Sequence, residues 1–279
     1  KIIMEKKAII VGAGLVGSLW AVYLAKAGYK VTIYERRSDI RKAEISAGKS
    51  INLALSTRGW KALRTAGVDK EVESIAIPMY GRMMHDLEGN QTQQAYGKEG
   101  QAIYSISRGD LNAKMMDIAE KHGKAQIFYN HKCVDVDLDA GIVLLQKDGT
   151  KEIITDQADV VFACDGAFSA VRYNGLQKLD RFDYMQDYID DGYRELLLPA
   201  NPDGSYKMDK NSLHIWPRGR FMLIALANDD GSFTCTLFMP FEGENSFAEL
   251  TTDEKVDKFF KATFPDFYEM FPELLDSWH

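Results

Sequence analysis

Two short stretches carry residue types that can hold a nucleotide. Gly12-x-Gly14-x-x-Gly17, with Ala13 between the first two glycines, follows the apolar run Lys7–Val11 and opens a helix-forming stretch. Glycines there let the backbone approach a pyrophosphate, while the unpaired N–H groups and dipole of a helix N-terminus favour the anion. Glu35 ends the next β-branched run within the spacing of about 20 residues at which a carboxylate accepts ribose hydroxyls. Its negative charge would repel a ribose 2′-phosphate, so the bound nucleotide is expected to be FAD or NAD, and this motif does not choose between them. The second stretch, Asp165-Gly166-x-x-Ser169-x-x-Arg172, lies where a strand turns into a helix. Gly166 permits a tight turn there, and the Arg172 guanidinium offers several donors to a phosphate.

Other chemistries find little support. The five histidines have no metal-ligand spacing, and no serine or cysteine sits in a nucleophile-elbow pattern, so neither a metal nor a protein nucleophile is expected. Cys133, Cys164 and Cys235 form no CxxC pair, and their odd number argues against a disulfide framework. The formal net charge of -7 repels a phosphate backbone, so no nucleic-acid partner is expected. No stretch approaches the ~18 consecutive apolar residues of a membrane span.

The elements that must position these residues read as α/β. Strand Lys7–Val11, helix Ser18–Lys26 and strand Val31–Tyr34 form a Rossmann-like βαβ unit that prefers a parallel sheet. A polar loop over 36–50 feeds a helix over Leu53–Ala66. Short strands follow between Tyr80 and Ile106, then a helix over Asp110–Lys121. Strands at Gln126–Tyr129, Cys133–Leu138 and Ile142–Gln146 predict a three-stranded meander insertion, and Ala158–Ala163 a further buried strand. Beyond Arg181 long alternating strands, Asp183–Leu198, Tyr206–Trp216, Gly219–Ala227 and Ser232–Met239, predict an α+β domain on an antiparallel sheet, with a helical tail from Thr252 to Trp278. The domains expected are therefore 1–180, nucleotide-binding and including the strands of 80–106, and 181–279, substrate-binding. Met222, Ile224 and Leu226 alternate along one strand and Phe238 lies on the next. That shared face can line an aromatic pocket or be ordinary core.

DGAFSAVR, residues 165–172, resembles the fingerprint of the single-component flavin-dependent aromatic hydroxylases. Three further stretches resemble the kynurenine 3-monooxygenases of that family: Gly48–Ser56 with Arg58-Gly59, Tyr80–Asp86, and Tyr104–Arg108. The similarity runs from the glycine fingerprint to about Phe241. It implies FAD as cofactor, NADPH as reducing co-substrate, and hydroxylation of L-kynurenine to 3-hydroxykynurenine with O2, in tryptophan degradation and NAD synthesis. It also implies that Gly12, Ala13, Gly14, Gly17, Glu35, Arg36, Ala54, Arg108, Asp165, Gly166 and Arg172 hold the cofactors. Arg82 would take the substrate's α-carboxylate with help from Tyr96, and Met222, Ile224, Leu226 and Phe238 would meet its ring. No protein group need act as acid or base, since the flavin carries the chemistry. A related hydroxylase of phenols or hydroxybenzoates is the enzymatic alternative, and a noncatalytic nucleotide-binding or redox-sensing module the other. The family's later Gly-Asp motif, of the type GDAAH, and its helical C-terminal region do not occur before His279. The chain is therefore expected to be truncated, with a nearly complete adenine site but little turnover alone. Its compartment is expected to be the cytoplasm if bacterial, or the cytosolic face of the mitochondrial outer membrane if eukaryotic.

Overall fold

The computed structural model describes residues 5–42 and 52–279. Residues 43–50 of the polar loop and the Gly48–Ile51 part of the Gly48–Ser56 stretch lie outside the described residues. The chain opens with β1 (Lys6–Val11), α1 (Leu15–Lys26) and β2 (Tyr29–Tyr34), followed by β3 (Asn52–Leu55), α2 (Thr57–Ala66) and α3 (Asp69–Glu73). Next come β4 (Ile77–Met79), β5 (Gly81–His85), β6 (Gln91–Ala95), β7 (Ile103–Ser107) and α4 (Arg108–Lys121). β8 (Gln126–Phe128), β9 (His131–Asp137), β10 (Ile142–Lys147), β11 (Ile153–Gln157) and β12 (Val160–Ala163) lead to α5 (Ala170–Asn174). β13 (Asp191–Leu198), β14 (Ser212–Arg218), β15 (Phe221–Ala227) and β16 (Phe233–Pro240) precede α6 (Asp253–Thr263), α7 (Pro265–Met270) and α8 (Leu274–Trp278).

The chain divides into two compact units, and the described residues of the first fall within Lys1–Ile45, Ala62–Val72 and Gly109–Gln186. Its parallel sheet has the order β12-β1-β2-β8. Ala8, Ile9 and Ile10 are fully buried in succession, the mark of a strand covered on both faces. The predicted meander is shifted by one strand: Gln126–Phe128 pairs parallel with β2, while the antiparallel three-stranded sheet is β11-β10-β9. Ile153–Gln157 escaped sequence reading because this edge strand is largely polar and half exposed, so it shows no apolar run.

The second unit holds the described residues of Ser46–Lys61, Glu73–Arg108 and Asp187–His279. The strands of 80–106, expected in the first domain, belong here instead. Gly81–Met84 pair with Ser212–Ile215, placing β5 and β6 in the six-stranded sheet β13-β16-β15-β14-β5-β6. One face of this sheet buries Leu223, Ala225, Phe233, Cys235 and Leu237. These pack with Phe260, Phe264, Phe267 and Phe271, which recur every three or four residues along the tail helices. Pro265 falls in the first turn of α7, where its missing N–H costs nothing. Two expected strands are shorter: 183–190 is exposed and unpaired with any strand, and the second, expected from Tyr206, begins at Ser212. Leu53–Leu55 is strand rather than helix because it pairs with β7; the Trp60 N–H then donates to the Ser56 carbonyl, opening α2.

Two glycines in the first unit have no substitute. Gly12 has φ +101°, and a Cβ there would stand 2.5 Å from the Cys164 carbonyl oxygen; one on Gly17 would stand 2.0 Å from the Gly12 carbonyl oxygen. Gly17→Ala should destabilise the chain by about 3 kcal/mol, the upper range of overpacking costs. Urea denaturation checks this; an unchanged midpoint would show that α1 can stand off from β1.

Candidate functional site

In the first unit β1 delivers the chain into the turn Gly12-Ala13-Gly14, and α1 opens with Gly14 as its extended N-cap residue. No side chain caps the first-turn amides, and nothing lies within 4 Å of where a Gly14 Cβ would stand. Glu35 is buried at the end of β2 and braces this turn: Ala13 N–H donates to its Oε2 at 2.9 Å, and Arg37 donates to Oε1 through its backbone N–H and Nε, both at 3.0 Å. Burial pushes the carboxyl up, but the Arg37 guanidinium and the two amides outweigh it and hold it below the usual carboxylate range. Oε2, which accepts one bond against the two at Oε1, retains a lone pair for a hydroxyl. Arg36, beside it, is exposed.

The second fingerprint meets the first where the Cys164 N–H donates to the Val11 carbonyl at 2.8 Å. Asp165 Oδ2 accepts the Ala170 and Val171 N–H groups at 2.7 and 3.3 Å, and Ser169 caps α5 by accepting the Arg172 N–H at 3.0 Å. Asp165 Oδ1 is buried with no hydrogen-bond partner among the described residues. Gly166 takes φ +77° in open space. The Arg172 guanidinium lies 5.3 Å from the Tyr173 ring and 5.4 Å from the Tyr184 ring, and donates to the Ala167 carbonyl. The Tyr184 contact was not visible in the sequence, because an arginine held between rings has no fixed residue spacing. An uncapped helix N-terminus, a turn whose one side chain is the Ala13 methyl and an orphaned carboxylate oxygen fit the pyrophosphate and polyol portions of a dinucleotide.

Arg82, Tyr96, Met222, Ile224, Leu226 and Phe238 all fall in the second unit. Arg82 is exposed on β5, with its guanidinium 5.3 Å from the Tyr96 ring centroid and no ion pair among the described residues. The Tyr96 hydroxyl is buried without a hydrogen-bond partner among the described residues; burial pushes its pKa up, and the nearby Arg82 charge works against that rise. Register puts Met222 opposite Phe238, on the face turned away from the phenylalanine-rich core. Met222 remains 39% exposed, whereas Leu226 is 2% exposed, so Leu226 packs as core. Close by, the Ser105 hydroxyl and the Asn52 amide both donate to the Ala227 carbonyl, fastening β7 and β3 over that end of β15. Ala54 is exposed on β3, and Arg108 is exposed at the start of α4. Glu195, which carried no sequence signal, has a buried unpartnered Oε1; burial raises its pKa, and Arg108 works against that rise.

The lowered Glu35 pKa makes its contribution to stability present above the ordinary value of 4.5 and lost as pH falls through the folded value. Glu35→Gln should flatten the acid limb of the stability–pH curve and cost about 1–3 kcal/mol at pH 7. Denaturation midpoints from pH 3 to pH 7 check this; parallel curves for both proteins would contradict it.

A family model described as FAD binding domain matches residues 5–189. The chain is 53% identical over 274 residues to the kynurenine 3-monooxygenase of Flavobacterium psychrophilum, covering 98% of the chain and 60% of that protein. The Dictyostelium discoideum protein of that name is 46% identical over 278 residues, covering 99% of the chain and 59% of its own length. The chain thus spans about three fifths of the relatives it matches. Among solved structures, the tetrameric form of 2-methyl-3-hydroxypyridine-5-carboxylic acid oxygenase superposes with a TM-score of 0.71 at 18% identity, covering 98% of the chain and 67% of that chain. A Klebsiella pneumoniae HpxO complexed with FAD gives 0.67 at 18% identity, covering 97% and 65%. Among the described residues no helix is long and apolar enough to cross a membrane. With well over half its length matched, the chain belongs to the FAD binding domain family and shares the fold of the 2-methyl-3-hydroxypyridine-5-carboxylic acid oxygenase.

Proposed function

We propose that this chain serves a flavin monooxygenase that hydroxylates L-kynurenine to 3-hydroxykynurenine with NADPH and O2. The observation that carries the reading is the pairing of an exposed guanidinium, free of any carboxylate among the described residues, with the buried, unpartnered Tyr96 hydroxyl. A planar guanidinium takes a carboxylate through two parallel hydrogen bonds, and the hydroxyl supplies a third donor. Ile224 and Phe238 lie two and three strands from β5, roughly 10 and 14 Å across the sheet at ordinary strand spacing. An aromatic amino acid held by its carboxylate at Arg82 extends its ring toward them.

Gly12, Ala13, Gly14 and Gly17 would set the FAD pyrophosphate against α1, Glu35 and Asp165 would take its hydroxyls, and Arg36, Gly166 and Arg172 would contribute further cofactor contacts. FAD, reduced by NADPH when bound, supplies the oxygen-transfer chemistry, so the protein's task is to bind, orient and exclude water. Met222, Ile224 and Phe238 provide an apolar wall suited to that task. The compartment we propose faces the cytosol, being the cytoplasm for a bacterial chain and the outer mitochondrial surface for a eukaryotic one; three free cysteines suit it.

Arg82→Ala in the FAD-loaded protein should weaken L-kynurenine binding by roughly 10- to 150-fold, the equivalent of about 1.5–3 kcal/mol for a lost charged hydrogen bond, and leave FAD affinity unchanged. Calorimetric titration reads both constants. Unchanged L-kynurenine affinity would move the substrate to a phenol or hydroxybenzoate bound elsewhere on the sheet.

A further inference from the structure

Behind the strand that carries Arg82 lies a buried polar chain that the proposed reaction does not use. His85 is wholly buried on the core face of β5, three residues from Arg82 and on the opposite side of the sheet. Its Nδ1 lies 2.6 Å from Asp266 Oδ2 and its Nε2 lies 2.9 Å from His214 Nδ1. His214 Nε2 in turn lies 2.8 Å from the Asp209 carbonyl oxygen. Trp216 Nε1 donates to both Asp266 oxygens at 2.9 and 3.0 Å, and its ring stacks on His85 at 4.0 Å.

Counting protons restricts the state of this chain. Three contacts require three protons, both ends of the chain are oxygen acceptors, and two neutral imidazoles supply only two. The third proton sits either on an imidazole, opposite an ionised Asp266, or on Asp266 itself; the chain is electrically neutral in both cases. Asp266 rises with burial but is brought below the usual carboxylate range by its hydrogen bonds from His85 and Trp216, which favours the ionised form. Burial pushes His214 down to about 4, so it stays neutral and donates through Nε2. In both arrangements His85 Nε2 donates to His214 Nδ1, so Asp266, His85, His214 and the Asp209 carbonyl form one continuous hydrogen-bonded chain. The other charged groups against it are Arg218, which donates to the His85 and Asp86 carbonyls, and the Asp209 carboxylate, which accepts from the Ser212 hydroxyl.

β5 needs such a fastening. Its outer neighbour β6 is the edge strand, exposed along its whole length and built of Gln-Thr-Gln-Gln-Ala. Apolar packing therefore holds β5 from the β14 side alone. We infer that His85 is a positioning residue for Arg82, one that together with Asp266 and His214 pins β5 to β14 and α7 and so holds the guanidinium at its station. The inference rests on Arg82 as the carboxylate anchor.

The test uses the full chain loaded with FAD and labelled with 15N-histidine. Ring-nitrogen spectra should show a proton on His85 Nε2 and on His214 Nε2, with His214 Nδ1 bare. A bare Nε2 on His85 in the wild-type protein overturns the proposal without recourse to any variant. Asp266→Asn keeps the shape but disturbs the bonds to His85 and Trp216, so it should speed amide exchange in β5 about tenfold or more relative to β15 and β16. Unchanged exchange in β5 would overturn the positioning role. L-kynurenine titration of Arg82→Ala bears on the anchor alone: should that variant bind normally while the His85 signature holds, the substrate reading falls and the strand pin stands.

Discussion

Nothing larger than hydrogen fits between Gly17 and the Gly12 carbonyl, and the first unit is arranged around that contact. It lets α1 sit directly on the end of β1, so the helix begins within three residues of the strand and presents its uncapped N-terminus at the sheet's C-terminal edge. The same closeness recurs at Gly12, where the Cys164–Asp165 backbone presses against the turn. Two fingerprints separated by about 150 residues in sequence thereby become one surface. Glu35 and Asp165 complete it as carboxylates whose protein partners leave acceptor capacity unused. Such leftover capacity in buried groups calls for a partner, and the proposed dinucleotide would supply one.

The second unit solves a different problem, that of giving one sheet two unlike faces. The period of two sends Leu223, Ala225 and Leu237 into a core of phenylalanines and sends Met222, Ile224 and Phe238 to the other side. A one-residue slip in β15 would exchange these sets, so the burial of the phenylalanine core also fixes which residues form the opposite face. The buried His85–Asp266 chain performs the corresponding service for β5, where the neighbouring edge strand contributes no apolar packing.

Much of this was legible in the sequence because the signals were local. Gly12, Gly14, Gly17 and Glu35 fall on consecutive elements, and the α/β character, the later antiparallel sheet and the alternation of residues 222–226 follow from residue periods. What escaped depended on partners distant in sequence. Gln126–Phe128 looked like part of a meander until β2 claimed it, and Gly81–Met84 belongs with a strand 130 residues later through a parallel pairing that no local pattern announces. Leu226 shares its neighbours' alternation, yet it is buried near the point where Asn52 and Ser105 reach Ala227. His85 and His214 were read only as histidines without metal spacing and Asp266 carried no signal, because a hydrogen-bonded chain across strands and a helix leaves no trace in linear order.

The most direct measurement is a comparison of ligands on the wild-type, FAD-loaded protein: L-kynurenine, its decarboxylated amine and 4-hydroxybenzoate, each titrated to an equilibrium constant. A guanidinium anchor predicts that L-kynurenine binds at least about tenfold more tightly than the amine, which keeps the ring but lacks the carboxylate. Equal affinity for the acid and the amine, or a preference for 4-hydroxybenzoate, would contradict Arg82 as the carboxylate anchor and kynurenine as the substrate.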